Sequence, residues 1–284
     1  MVQILTHRGL EPNKKKFYAE SSFEAFRDHL QRGFGVEFDI NFSKDNKIII
    51  FHDNNLSRLT NKADIRQFKN LSIKQINKIK IKGNKICSFQ DLIKLIIKHG
   101  AGINALHLKG KFQNKNRLNI LIKELKKYQK YLNKIIIFDI KISTAIYLKK
   151  FIPELILAPS VAHKYDIKRY GKCVDNTLIS IEQAIKNKKI FDWVWLDEWD
   201  KISEKGTKKF YIAKNFKMLK NAGFKIALVT PELHATSPNL LGAESHQDAI
   251  NKKVLFKRIK QIINLKPNAI CTDYPDLLGR LTLS

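Results

Sequence analysis

Short apolar runs rich in isoleucine, valine and phenylalanine recur near residues 2–6, 35–41, 47–52, 103–108, 134–140, 154–158, 192–196, 225–230 and 268–272. Between most of them lie amphipathic stretches at helical spacing, over 22–31, 89–99, 116–132, 144–151, 177–186, 213–222 and 252–265. Short apolar runs bounded by turn residues read as strands, and apolar positions recurring every three or four residues read as helices. Their alternation implies a parallel sheet with crossover helices, and the strand count favours closure into an α/β TIM (β/α)8 barrel over an open sheet. Nine runs exceed a barrel's eight by one. The run at 47–52 is therefore expected to pair beside its neighbour, and 56–85 reads as a small insertion carrying a short helix. No Walker-type or G-x-G-x-x-G glycine loop is present, which argues against a nucleotide-binding open sheet.

Barrel enzymes gather their chemistry where strands give way to loops at the C-terminal mouth. His7-Arg8-Gly9 ends the first run, Glu37-Phe38-Asp39 lies in the second, and His52-Asp53 ends the third. Side chains alternate along a strand, so Glu37 and Asp39 share a face, where they repel each other unless a cation intervenes or water screens them. Hard divalent cations such as Mg²⁺ or Ca²⁺ take oxygen ligands of this kind. A bare E-x-D triplet also suits a solvated edge strand, but Val36, Phe38 and Ile40 alternate with these acids as a buried face would. His7 and His52, each after an apolar run, suit a general acid and base because imidazole titrates near neutrality. Arg8 offers a planar fork of donors for phosphate oxygens. Asp53 either orients an imidazole or caps the next turn.

In order and spacing these residues resemble the glycerophosphodiester phosphodiesterase family. That family opens with H-R-G, then P-E-N-T before a helix, then E-x-D, then H-D followed by x-x-L-x-R-x-T. Here the corresponding stretches are His7-Arg8-Gly9, Ala19-Glu20-Ser21-Ser22, Glu37-Phe38-Asp39 and His52-Asp53 continuing through Leu56, Arg58 and Thr60. Ile86 to Leu92 and Cys271-Thr272-Asp273-Tyr274-Pro275 match later segments more loosely. The resemblance implies a metal held by Glu37 and Asp39, catalysis by His7 and His52, and substrate or phosphate contacts from Arg8, Lys109 and Glu20. One departure matters. Where the family has E-x-K this chain has His107-Leu108-Lys109, so the third metal position falls on an imidazole, a poorer ligand for Mg²⁺ or Ca²⁺ and a better one for transition metals. Asp139, Asp197, Glu198 and Glu232 all follow expected strands and are candidates to replace the missing carboxylate. Lys109 either contacts phosphate or is a solvated strand-end lysine.

Farther along, Trp193, Trp195 and Trp199 alternate at a strand end. They either wall a cavity that receives the non-reacting part of a substrate, Trp195 foremost, or pack between barrel and helices. Glu232 ends the next strand in a position to reach the same mouth. The stretch 233–248, with His234, Glu244 and His246, reads as an exposed polar loop that could fold over it.

Composition adjusts this picture only at its edges. The chain has 284 residues, 44% of them hydrophobic, with no linker-like break, so 1–284 is expected to form one domain. Its 53 Lys and Arg against 26 Asp and Glu give a net charge of +27. Such a field attracts anions, whether a phosphodiester, nucleic acid or, weakly, an anionic membrane surface. The lysines are spread along nearly every helix without the interleaved aromatics of a nucleic-acid site, Lys14-Lys15-Lys16-Phe17-Tyr18 being the nearest approach, so a small phosphodiester is the expected partner. Cys87, Cys173 and Cys271 are widely spaced and match no metal motif, no run reaches the roughly 20 residues of a membrane span, and no signal peptide is apparent, which together point to the cytoplasm. The expected activity is metal-dependent hydrolysis of a glycerophosphodiester to glycerol 3-phosphate and an alcohol. A barrel that binds phosphodiesters but has lost turnover through the change at position 107, or a basic nucleic-acid-binding protein, are the rival readings.

Overall fold

The computed structural model describes residues 2–100, 102–204, 206–233 and 246–283. Eight strand positions form a parallel ring. They are Gln3–His7, Gly35–Phe42, Asn104–His107, Ile135–Phe138, Ile156–Ala158 continued by Ser160–Ala162, Trp193–Asp197, Lys225–Val229 and Ala269–Thr272. The last pairs with the first, Ala269 to Thr272 in register with Gln3 to Thr6. Pro159 interrupts the fifth position, so that Ile156–Ala158 pairs back to Ile135–Phe138 and Ser160–Ala162 pairs forward to Trp193–Asp197. A proline cannot donate to a ladder, but its carbonyl still accepts from Trp195 N at 3.0 Å, and Leu157 O accepts from Asp192 N at 3.2 Å. The ring is therefore closed by hydrogen bonds on both sides of the break.

The ninth apolar run stands outside the ring, as its surplus implies. Ile48–Ile50 runs antiparallel to the end of Gly35–Phe42, with Ile50 opposite Ile40. The insertion that follows has its own small core, in which Phe51, Leu56, Phe68, Leu71, Ile76 and Ile81 pack with Ile49. It carries the short helix Ile73–Ile76 and a two-stranded hairpin, Lys80–Ile81 with Asn84–Lys85.

Helix boundaries follow capping chemistry. Ser22, Ser88, Asn114 and Asn251 each accept a hydrogen bond from a backbone amide three residues on, and helices Phe23–Gln31, Phe89–His99, Lys115–Lys126 and Lys252–Asn264 begin directly after them. Two boundaries differ from the sequence expectation. The helix expected over 116–132 stops at Lys126 and tightens into a 3₁₀ segment, Gln129–Lys134. The one expected over 177–186 starts at Ile181, because Leu178 and Ile179 pair alongside Ser160 and Val161 and a Ser180–Gln183 capping box begins the helix beyond them.

The apolar side chains form two layers. Val36, Phe38, Ile40, Leu106, Ile135, Ile137, Leu157, Val194, Leu196, Ile226, Leu228 and Ile270 face outward against the helices. Inside the ring, Trp193 and Trp195 belong to one cluster with Leu5, Ile136, Phe138 and four alanines, Ala105, Ala158, Ala227 and Ala269. The small residues leave the volume that the two indoles fill, and each such burial stabilises by roughly 1.5–3 kcal/mol. These two tryptophans thus sit inside the barrel, not between barrel and helices.

Candidate active site at the barrel mouth

The outward packing of Val36, Phe38 and Ile40 forces Glu37 and Asp39 to the barrel interior, where they are 3% and 0% exposed. The parallel register then sets His7 beside Glu37 and His107 beside Asp39. His52 arrives from outside the ring, directly after the antiparallel strand, and Phe51 N donates to Asp39 O at 3.0 Å. Gly9 turns the chain away from His7 with φ +69°, and a Cβ there would lie 3.0 Å from that of Ala25.

Each catalytic candidate is held by a second group. His7 Nδ1 lies 2.9 Å from Asp273 Oδ1, and His52 Nδ1 lies 2.7 Å from Asp53 Oδ1. Arg58 donates to the other oxygen of Asp53 at 2.7 Å and to both oxygens of Glu20. Asp53 therefore orients the imidazole instead of capping a turn. The Arg8 guanidinium lies 3.5 Å from both Asp39 and Glu20. Lys109 Nζ is 3.2 Å from Asp39 Oδ1 and donates to the His52 carbonyl, so it is no solvated strand-end lysine. Thr230, Thr272 and the Asp273 amide all donate to Glu232 Oε1, which ties the last two strand ends together.

The electrostatics follow from burial. Loss of hydration, then the neighbouring Asp39 charge, pushes the Glu37 carboxyl up to about 8. Asp39 itself is held well below its ordinary value, since Lys109, His52 and His107 outweigh its burial. Burial likewise pushes His52 down to about 4, partly opposed by Asp39. His107 goes the other way, to about 9, because hydrogen bonds to Asp139 and Asp39 overcome its desolvation.

Glu37, Asp39 and His107 offer ligand atoms all within 4.8 Å of one another. Among the described residues two other acid–histidine groups meet that criterion, but Arg32 bonds to Glu11 in one and Arg258 to Glu198 in the other. A carboxylate bonded directly to arginine at 2.6 or 2.7 Å, as in those two, is a poorer place for a cation than Asp39, from which Arg8 stands off at 3.5 Å. Asp39 Oδ2 is buried without a hydrogen bond, and Glu37 is desolvated beside the Asp39 charge, so this donor set fits a divalent cation.

A cavity of about 1070 Å³ opens above these groups. His7, Arg8, Glu37, Asp39, His52, His107, Lys109 and Trp195 all line it, as does Trp199. Glu20 and Glu232 do not; they act one layer back, on Arg8 and Arg58 and on Asp273. Of the four candidates for the missing carboxylate, Asp139 and Asp197 line the cavity, whereas Glu198 is turned toward Arg258 and the Phe210 and Tyr211 amides. His246 was expected on an exposed loop but is fully buried 3.5 Å from Glu198. His234 and Glu244 lie outside the described residues. Sequence reasoning gave Asp273 no role; it closes on His7 from 266 positions away, and its signals were a strand-end position and the loose family match over Cys271 to Pro275.

A profile of the glycerophosphoryl diester phosphodiesterase family matches residues 7–277, from the first histidine of the site to the final helix. The chain belongs to that family. Among curated relatives, a glycerophosphodiester phosphodiesterase of Bacillus altitudinis is 37% identical over 62 residues, 22% of this chain, and the match spans about a quarter (24%) of that relative's length. Among solved structures, a Galdieria sulphuraria protein described as a candidate glycerophosphodiester phosphodiesterase superposes with a TM-score of 0.71 at 16% identity, over 100% of this chain and 98% of its own. An Oleispira antarctica phosphodiesterase, solved with the product sn-glycerol-3-phosphate, gives 0.67 at 17% over 99% and 97%. At these identities the structural likeness extends to the fold, which in this phosphodiesterase family is the barrel described above. No helix among the described residues is long and apolar enough to cross a membrane.

Proposed function

We propose that the protein hydrolyses glycerophosphodiesters to glycerol 3-phosphate and an alcohol, with His52 as general base and His7 as general acid. The observation that carries this reading is the pair of carboxylate-held imidazoles, His7 with Asp273 and His52 with Asp53, lining one cavity with Glu37, Asp39 and His107. Burial pushes His52 below its ordinary value and so favours the neutral ring that a base must be. It takes the proton of the substrate hydroxyl next to the phosphoester, and that oxygen bonds to phosphorus. The bond from phosphorus to the alcohol breaks, and His7 supplies the proton to the departing oxygen. Water then opens the cyclic phosphate with the two roles exchanged, which returns each histidine to its starting state.

Arg8 and Lys109 place positive charge beside the non-bridging phosphoryl oxygens. Glu37, Asp39 and His107 would hold a divalent cation, which when bound adds charge neutralisation to the same oxygens. Mg²⁺ and Ca²⁺ suit the two acids; the imidazole tilts the set toward transition metals. The whole chain serves as one catalytic domain in this reading, with Ser57, Arg58, Asn61 and Lys62 of the insertion, and Asn54 and Asn55 just before it, forming one wall of the cavity.

The test is release of glycerol 3-phosphate from glycerophosphocholine and glycerophosphoethanolamine by chelator-stripped protein resupplied with Mg²⁺, Ca²⁺, Mn²⁺ or Zn²⁺. His7→Ala and His52→Ala should each reduce the rate at least ~10²-fold, the usual worth of general acid–base catalysis. Undiminished turnover in both variants, or none in the wild type with any of these metals, refutes the proposal.

A further inference from the structure

The His107 ring is gripped at both ends. Nδ1 lies 2.8 Å from Asp39 Oδ1 and Nε2 lies 3.1 Å from Asp139 Oδ2. Its face stacks on Phe138 with centroids 4.8 Å apart and planes 14° from parallel, and Phe138 stacks in turn on Trp195. The ring is thus fixed in its plane as well as along its edge.

Asp139 is fixed just as firmly. It follows the strand Ile135–Phe138 in a left-handed backbone conformation, φ +61°, which non-glycine residues seldom adopt. Gln113 holds it there, donating to the Asp139 carbonyl at 2.7 Å and to Leu108 O at 2.8 Å while accepting from Lys141 N. A buried carboxylate is in this way set against the outer nitrogen of the ring, and the inner nitrogen faces the Glu37 and Asp39 acids. Asp139 is not among the three residues whose ligand atoms cluster within 4.8 Å.

An imidazole can ligate a cation through one nitrogen only if the other carries the proton, and the hydrogen bond to that second nitrogen decides which is which. We infer that Asp139 is the positioning residue of a carboxylate–imidazole–metal relay, accepting the Nε2–H of His107 so that Nδ1 joins Glu37 and Asp39 around a borderline divalent cation of the Mn²⁺, Co²⁺ or Zn²⁺ class. The relay rests on the reading of Glu37 and Asp39 as a metal site. It assigns the departure at position 107 a purpose, a nitrogen donor with its own orienting acid on the next strand in place of a third carboxylate.

The experiment measures metal binding without substrate. Chelator-stripped full-length protein is titrated calorimetrically with Mn²⁺, Zn²⁺ and Mg²⁺, and the Co²⁺ form is followed by its absorption spectrum, which registers a nitrogen ligand independently of turnover. Wild type should prefer Mn²⁺ and Zn²⁺ to Mg²⁺. Asp139→Gly, which suits the left-handed backbone, and Asp139→Asn, which keeps the shape, should weaken Mn²⁺ and Zn²⁺ about 10–100-fold and alter the Co²⁺ spectrum. His107→Glu should shift preference toward Mg²⁺, and adding Asp139→Asn to it should cost nothing more. Unchanged affinity in both Asp139 variants overturns the relay, as does an equal loss in the His107→Glu background or a wild type that binds no cation. Absence of glycerophosphodiester turnover alongside the expected binding pattern defeats the catalytic reading and leaves the relay standing.

Discussion

Replacing Glu37 with glutamine should make the metal-free protein more stable while removing a carboxylate from the proposed metal site. In the folded chain Glu37 keeps its proton up to about pH 8, whereas an ordinary glutamate releases it near 4.5. Between those values the unfolded state binds fewer protons than the folded one, so stability falls as pH rises through the window. At about 1.4 kcal/mol per pH unit, the 2.5 units between 4.5 and pH 7 amount to about 3 kcal/mol. Glutamine has the same shape, can still accept from the Arg8 amide that lies 3.3 Å from Glu37 Oε2, and carries no such penalty. With roughly 2 °C per kcal/mol for a chain of this size, the gain in Tm at pH 7 is about 6 °C. The assay is thermal unfolding in chelator at pH 5, 7 and 8, with and without added divalent metal. The advantage of the variant should shrink to less than about 1 kcal/mol at pH 5, grow toward pH 8 and reverse when metal saturates the wild type. A variant no more stable than wild type in chelator, or one whose advantage ignores pH, refutes the argument that burial beside Asp39 penalises the Glu37 charge.

Three further outcomes follow from the same structure. Asp273→Asn, which removes the charge beside His7 Nδ1, should lower kcat by at least ~10²-fold with the circular dichroism spectrum unchanged, and a rate within twofold of wild type would show that His7 needs no such partner. Lys208 is fully buried and pairs with Asp166 and Asp200, so Lys208→Met, which leaves those acids without it, should cost about 3–5 kcal/mol in urea unfolding; a loss under 1 kcal/mol contradicts this. In Gly35→Ala the new Cβ would stand 2.1 Å from Ile103 O and 2.6 Å from Leu5 Cδ2, which should lower stability by about 1–3 kcal/mol, detectable as a reduced denaturant midpoint; an unchanged midpoint would mean the two strands separate freely.

What the sequence displayed was whatever depends on neighbours along the chain. The alternation Val36, Glu37, Phe38, Asp39, Ile40 fixes two acids on one inner face, and His7 and His52 show themselves at the ends of apolar runs. The surplus ninth run was legible too, because a barrel has room for eight. Partnerships made by closure of the ring were not. Asp273 reaches His7, and Asp139 reaches His107, through register between strands far apart in the chain, and nothing local marks either pairing. Asp53 is ambiguous in the sequence because its contacts to His52 and Arg58 exist only once the loop is folded. His246 resembles a surface residue in the sequence because Glu198, beside which it is buried, follows a strand far earlier in the chain. Leu178 and Ile179 carried a helical pattern, but an open edge beside Ser160 and Val161 claimed them as strand.

The two imidazoles stand on different foundations. His7 ends a strand of the closed ring, while His52 is carried on a side excursion whose own apolar nucleus, built on Phe51 and Phe68, is separate from the barrel's. Arg58 struts that excursion to Glu20 on the first loop. The spacing of the two imidazoles is therefore set by how an appendage leans on a rigid frame. A change confined to the appendage moves His52 relative to His7 while the frame, and the acids rooted in it, remain as they are.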